Sequence, residues 1–184
     1  MKKILFFLIL TNSFSFAQRA DFFKEDITFR LDSTYIDVEG VYWFLNNYDK
    51  PVFSDIFYPF PVSSGSEIDS IRLFNITAGQ KTKYNLESGS GISFNLFIPP
   101  KDTVLFQIGY RQKLNGDSAV YILRSTQVWG KPLERAEYKL MTSLIFKIKN
   151  FSYLPDKIYK IDNKKIYYWK KENFMPKVDM VFKF

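Results

Sequence analysis

The 184 residues carry 26 Lys and Arg against 19 Asp and Glu, a formal net charge of +7, with 46% apolar and 19% aromatic side chains. There is no histidine and no cysteine, which removes the usual base at neutral pH, the commonest transition-metal ligands and the thiol nucleophile together. Ser-His-Asp hydrolases, cysteine proteases and histidine-ligated metal enzymes are excluded, and so is any disulfide.

The N-terminus has the layout of a secretory signal: Lys2 and Lys3, the apolar run "ILFFLIL" at 4–10, then "SFAQ" with a small residue before the cut. Cleavage is expected after Ala17, leaving 18–184 as a single domain large enough to bury its own core. The chain is therefore expected to be exported from a bacterial cell, into the periplasm, onto the outer surface or beyond. No apolar run reaches the roughly 18 to 20 residues of a membrane-spanning helix. Without a cysteine after the cut, lipid anchoring at that position is excluded.

From Asp26 onward, short runs rich in Phe, Tyr, Ile and Val alternate with Asp, Asn, Ser, Gly and Pro, the pattern of β-strands and turns. "ITFRL" (27–31) and "TYIDVEGVYWFLN" (34–46) flank a turn at Asp32-Ser33. The second of these places Ile36, Val38 and Gly40 on one face, with Asp37, Glu39 and Val41 on the other. "PVFSDIFY" reads as a strand that Pro59 and Pro61 terminate, since each lacks an amide donor and forces the residue before it to be extended. Tyr58 and Phe60 are then expected to plug one end of the core, with "SSGS" (63–66) as the following turn.

Further strands are expected at 70–76, 82–87, 92–98, 103–110 and 119–125. Asn115-Gly116 supplies the positive-φ pair of a tight hairpin between the last two. A second hairpin is expected in "KIYKIDNKKIYYWKK", turning at Asp162 to Lys165. "PLERAEYKLM" (132–141) can be read at helical or at strand period, and the strand reading is preferred. The sum is an all-β protein: an antiparallel, immunoglobulin-like β-sandwich of about nine or ten strands. The rival fold, a small outer-membrane β-barrel, fits the export and the terminal alternation Met180, Phe182, Phe184. Against it stand lysines on both faces of the C-terminal strands and several interrupting prolines.

"GVYWFLNN" followed by "FYPFPVSS", then "ISFNLFIPP" and "YILRSTQVWGKPLERAEY", resembles the layout of uncharacterised exported bacterial β-sandwich proteins. In these, an aromatic-x-Phe-x-Asn strand precedes a Phe-Pro-x-Pro segment, and a late loop holds a Trp-Gly-x-Pro turn. The resemblance implies a fold and a location, and brings no activity or catalytic residue with it.

The chemistry that remains open is a carboxylate pair of the glycosidase kind, a Ser-Lys dyad or an oxygen-ligated calcium site. Asp37 with Glu39, and Glu67 with Asp69, have the spacing of two that puts both carboxyls on one strand face; each pair reads first as a solvated strand face. "SGSEIDS" lacks calcium-loop spacing, and "ESGSGIS" and "SSGSE" lack the phosphate-loop pattern and read as turns. No cofactor is expected, and the chain is read as a non-catalytic binding or structural interaction module of the bacterial envelope. A glycan-acting enzyme using a carboxylate pair is the alternative.

From residue 147 to the end, ten lysines face four acids. There Lys157, Tyr159, Lys164, Lys165, Tyr167, Trp169 and Lys170 form a candidate binding surface, in which rings stack on sugars while lysines track negative charge. The partners it suggests are a protein, an anionic glycan or an envelope surface, and no specific nucleic acid. Its plainer alternative is a hairpin whose rings point inward and whose lysines keep an edge strand unpaired. Four Asp-Ser/Thr motifs followed by a small or apolar residue (or, at 34, Thr) mark Ser33, Ser70, Thr103 and Ser118 as candidate O-glycosylation positions, similar to acceptors of a bacterial periplasmic system.

Overall fold

The computed structural model describes residues 19–61 and 67–184. The expected signal with its cut after Ala17, and the expected turn at 63–66, lie outside the described residues. The first two strands, β1 (Asp21–Leu31) and β2 (Tyr35–Leu45), form an antiparallel hairpin. The turn is closed by Asp32, whose Oδ1 accepts the amides of Thr34 at 2.7 Å and Tyr35 at 2.8 Å. Strict alternation along β2 buries Ile36, Val38, Tyr42 and Phe44 and leaves Asp37 and Glu39 outward, as the period-two pattern requires.

Chain order continues with β3 (Val52–Pro59), β4 (Ile68–Asn75), the two-residue β5 (Gln80–Lys81) and β6 (Asn85–Leu86), β7 (Gly91–Ile98), β8 (Thr103–Lys113) and β9 (Ser118–Tyr121). A short 3-10 helix at Arg124–Trp129 leads to β10 (Leu133–Ser143). The chain ends in β11 (Asn150–Phe151), β12 (Lys157–Ile161), β13 (Lys164–Phe174) and β14 (Met180–Lys183). β10 settles the ambiguous segment as a strand, burying Leu133, Ala136, Tyr138 and Leu140.

Eight strands make one large sheet in the order β12-β13-β10-β1-β2-β8-β4-β5, and two three-stranded sheets, β11-β14-β9 and β3-β7-β6, lie against it. Ring contacts fix where each small sheet sits. Phe182 of β14 packs on Trp169 of β13 and Phe29 of β1, and Tyr121 of β9 also packs on Phe29. Tyr58 of β3 packs on Tyr42 of β2, and Phe94 of β7 on Phe106 of β8. One small sheet therefore covers the β13 to β1 side of the large sheet and the other covers the β2 to β8 side. The core between the layers is dominated by aromatic rings.

Several expectations are corrected. The large sheet is mixed, because β1 and β10 run parallel, and fourteen strands stand among the described residues in place of nine or ten. The order of the eight-stranded sheet also departs from the four-plus-three plan of an immunoglobulin domain. The sheet is open, with β12 and β5 at its two ends, so its strands do not close into a barrel. Asn115-Gly116 does not make a hairpin: β8 pairs with β2 and β4, while β9 pairs with β14 in another sheet. Gly116 takes a φ of 109° to turn the chain from one layer to the other. The run at 82–87 yields only the short β6, and that at 119–125 leaves the ladder after Tyr121. The C-terminal hairpin forms as expected, with Asp162 and Asn163 both at positive φ between β12 and β13.

Candidate functional site

The candidate surface on the C-terminal hairpin is only partly at the surface. Tyr167 and Trp169 are buried, and Trp169 donates its indole N–H to the Tyr153 carbonyl at 2.8 Å. Strand period explains the correction: two residues apart on β13, both rings face the small sheet, and Phe151 packs on each. Lys157, Tyr159, Lys164 and Lys170 are exposed and Lys165 is half-buried, with its ammonium 4.9 Å from the Tyr167 ring centre. Lys170 is paired with Glu172 at 2.6 Å. What remains is a lysine-bearing edge strand with Tyr159 as its one exposed candidate ring.

Three of the four candidate carboxylates are engaged by basic or amide side chains. Asp37 accepts from Arg111 at 3.2 Å, and Glu39 accepts from Arg72 at 2.9 Å and from Gln107 at 2.5 Å. Glu67 reaches Lys113 at 3.5 Å, and Asp69 is exposed on β4. All four lie on the outward side of the large sheet or on its rim, away from the core. Among the candidate modification positions, Ser33 and Ser70 are exposed, whereas Thr103 and Ser118 are half-buried at strand starts. No group of three or more carboxylates gathers to hold a metal ion among the described residues.

The structure instead brings together residues at a slot in the second layer. A cavity of about 700 Å³ opens between β3, from Ser54 to Pro59, and the chain leaving β9, from Tyr121 to Trp129. Its floor comes from the large sheet: Phe22 and Glu25 of β1, Tyr42 and Phe44 of β2, and Ile108 of β8. The walls are mainly apolar and aromatic, the composition typical of a ligand pocket with a few polar groups to orient what enters.

Glu25 reaches this floor through a bulge. The β1–β2 register shifts between Phe22 and Lys24, so an extra residue switches the inward set from Phe22 to Glu25, Ile27, Phe29 and Leu31. Glu25 is 2% exposed and accepts a hydrogen bond from the Tyr138 hydroxyl at 2.5 Å. Burial, opposed by that bond, pushes its carboxyl up to about 7. Beside it the Tyr42 hydroxyl meets those of Tyr58 at 2.8 Å and Tyr121 at 3.1 Å, tying β3 and β9 to the large sheet beneath the slot. Burial raises all three phenols well above their ordinary range, so they stay protonated. Gly40 makes the arrangement possible, because a Cβ there would overlap the Tyr42 hydroxyl and ring.

The rim carries Arg19, whose guanidinium sits 4.9 Å over the Trp129 ring, and Trp129 also packs on Phe22 and Phe44. Tyr58 and Phe60 are buried and packed around Tyr110, as the expected end plug, but Tyr58 also forms part of the slot floor. Three of the four segments that carried the resemblance converge here. Tyr42 and Phe44 supply floor, the Tyr58-Pro59 pair one wall and Trp129 the other. Asn46, fully buried, donates to the carbonyls of Lys50, Ile98 and Pro99 and accepts the Tyr48 amide, pinning the loop before β3.

A first strand starting at Ile27 leaves Glu25 outside the inward set. Extending the same alternation upstream puts Glu25 in the inward set with Ile27, Phe29 and Leu31. A carboxylate in register with three core residues is the signal that was there to find.

No protein-family model matches the sequence, and no curated protein matches it. The fold has solved neighbours. A candidate nutrient-binding protein of Legionella pneumophila is similar over 90% of this chain and 67% of its own, with a TM-score of 0.72 and 12% identity. An M1 zinc metallopeptidase from Deinococcus radiodurans is similar over 89% of this chain, with a TM-score of 0.54 and 10% identity. The chain spans 42% of that peptidase's length. At such identities the likeness is one of fold.

Proposed function

We propose that the chain is a non-catalytic binding module exported to the bacterial envelope, and that the slot between β3 and β9 is its binding site. The observation that carries the reading is the slot itself: an apolar, aromatic-walled cavity with one buried carboxyl and three phenol hydroxyls on its floor. The Legionella neighbour, named for nutrient binding, supports it at the level of fold. A single acid faces the floor, because the side chain of Asp55 lies on the opposite face of β3 from Ser54, Ile56 and Tyr58. That geometry favours recognition over a two-carboxylate hydrolysis.

The test is titration of the mature chain with the neutral apolar fluorophore N-phenyl-1-naphthylamine. One saturable site is expected, weakened when the exposed lip residue Val128 is changed to Arg. Absence of saturable binding, or indifference to Val128→Arg, would sink the assignment. Export is tested by the N-terminus of the protein recovered from its native host, expected at Gln18. The same material reports by intact mass whether sugar is attached, with exposed Ser33 and Ser70 as the expected carriers.

A further inference from the structure

The slot is a gap in a β-layer, with the edge of β3 on one side and the end of β9 and the 3-10 helix after it on the other. Among the described residues β3 pairs only with β7, and β9 pairs only with β14. The register says which backbone groups of β3 are left free. Just past the ladder Phe60 donates its amide to Ser90 at 2.8 Å, and on the far side of β7 Glu87 donates to Gly91 at 3.0 Å. Bonded and non-bonded pairs alternate in an antiparallel ladder. Ser54, Ile56 and Tyr58 therefore turn their amides to β7, while Phe53, Asp55 and Phe57 turn theirs to the open side.

Most other sheet edges among the described residues are blunted. β12 carries Lys157 and Lys160 within five residues, and β5, β6 and β11 are two residues long. These are the usual devices against unwanted pairing. β3 has eight residues, no lysine, and two large rings, Phe53 and Phe57, exposed at 73% and 53%. Between those rings lies Asp55, exposed and without an ion-pair or hydrogen-bond partner among the described residues. An added strand would place one side chain opposite Asp55 on that outer face, where an opposite charge is favoured. Its alternate side chains would enter the slot, over Phe22, Phe44 and Trp129.

We propose that the slot takes an extended peptide segment, added as a strand to the free edge of β3, with apolar residues facing the cavity and a Lys or Arg opposite Asp55. The inference rests on the slot being a ligand site and names the class of ligand. Main-chain bonds to Phe53, Asp55 and Phe57 give affinity, and the cavity and Asp55 give selectivity, as in other strand-addition sites. A second copy of β3 is a poorer occupant, since that strand carries no Lys or Arg to set opposite Asp55, and the antiparallel register centred on Asp55 sets like charges directly opposite, which destabilises a sheet.

The experiment uses the mature chain and a capped seven-residue peptide with valine at the odd positions, threonine at the second and sixth, and lysine at the centre. Amide exchange is followed by NMR, and affinity by calorimetry. Peptide addition should slow exchange at Phe53, Asp55 and Phe57 by about tenfold or more, with little change at Ser54, Ile56 and Tyr58, which are already bonded. A peptide with central glutamate should bind about three- to tenfold more weakly, and Asp55→Lys, at an exposed position, should reverse that preference. Peptide binding that leaves the β3 amides unprotected and ignores the charge swap would overturn strand addition while leaving the slot as a site. Binding of the neutral fluorophore with no peptide binding would overturn it too. Protection of β3 without peptide, in a dimer, would assign the edge to a second copy and equally overturn the proposal.

Discussion

Raising the pH from about 5 to about 8 should destabilise this protein through one residue, Glu25. Its carboxyl is buried beneath the slot, where among the described residues the Tyr138 hydroxyl alone donates to it, and burial lifts it from 4.5 to about 7. Between those two values the folded chain holds a proton that the unfolded chain has lost, so stability is full below about 4.5 and falls as pH climbs through 7. Integrating the difference gives a loss of roughly 2 to 3 kcal/mol between pH 5 and pH 8. Surface carboxylates act in another window: the bond from Arg135 holds Glu137 below its usual range, and stability from that source is lost only as pH falls toward acid values. Urea unfolding followed by tryptophan emission at both pH values, on the native sequence and on Glu25→Gln, isolates the effect. Glutamine keeps the shape and the acceptor for Tyr138 but cannot ionise, so the native chain should lose stability across the interval and the variant should not. Equal slopes in the two proteins would refute the argument and mean that Glu25 ionises without penalty in the folded state.

Three further outcomes follow from packing. Gly40→Ala inserts a methyl where the Tyr42 ring lies, and should cost about 1 to 3 kcal/mol in urea unfolding while disturbing the Tyr42, Tyr58 and Tyr121 contacts. Trp169→Ala should cost about 3 to 5 kcal/mol because the ring is wholly buried, whereas Lys157→Ala combined with Lys164→Ala should stay within about 0.5 kcal/mol per site. Asn46→Ala removes four hydrogen bonds at a buried position and should lower stability by about 2 kcal/mol or more; it should also speed amide exchange in the loop it pins.

Strand period and turn chemistry carried most of the fold into legible form. The alternation from Tyr35 to Leu45, the Asp32 turn, the hairpin at Asp162-Asn163 and the termination at Pro59 are local facts, each set within a few residues. Strand partnership is not local. Nothing between Gly109 and Ser118 records that β8 stays in the large sheet while β9 crosses to the other layer, and Asn115-Gly116 can turn a chain either way. The parallel pairing of β1 with β10 joins segments more than a hundred residues apart, and its only trace is that both are inward on alternate residues. The basic hairpin misled for a related reason: composition counts Tyr167 and Trp169 with the lysines, but period two sends those two rings to the side that Phe151 and Phe182 occupy.

The slot was illegible in the same way and for an instructive reason. It belongs to no segment: β1 gives the acid, β2, β3 and β9 a phenol each, and β3 and the chain after β9 the walls. What makes it a cavity is that the layer opposite an unbroken eight-stranded sheet is itself broken into two triplets. Were β3 and β9 drawn together into one ladder, Glu25 would be sealed in and its elevated carboxyl would be a defect of the core. Left apart, the two walls keep a carboxyl, three hydroxyls and the unpaired backbone of β3 facing one gap, bridged underneath by Tyr42. Gly40, conspicuous as a glycine in the middle of a strand, is the local concession that lets that bridge form. A buried acid, a strand glycine and a lysine-free edge are each unfavourable taken singly. All three meet at one opening, the one proposed above as the binding site.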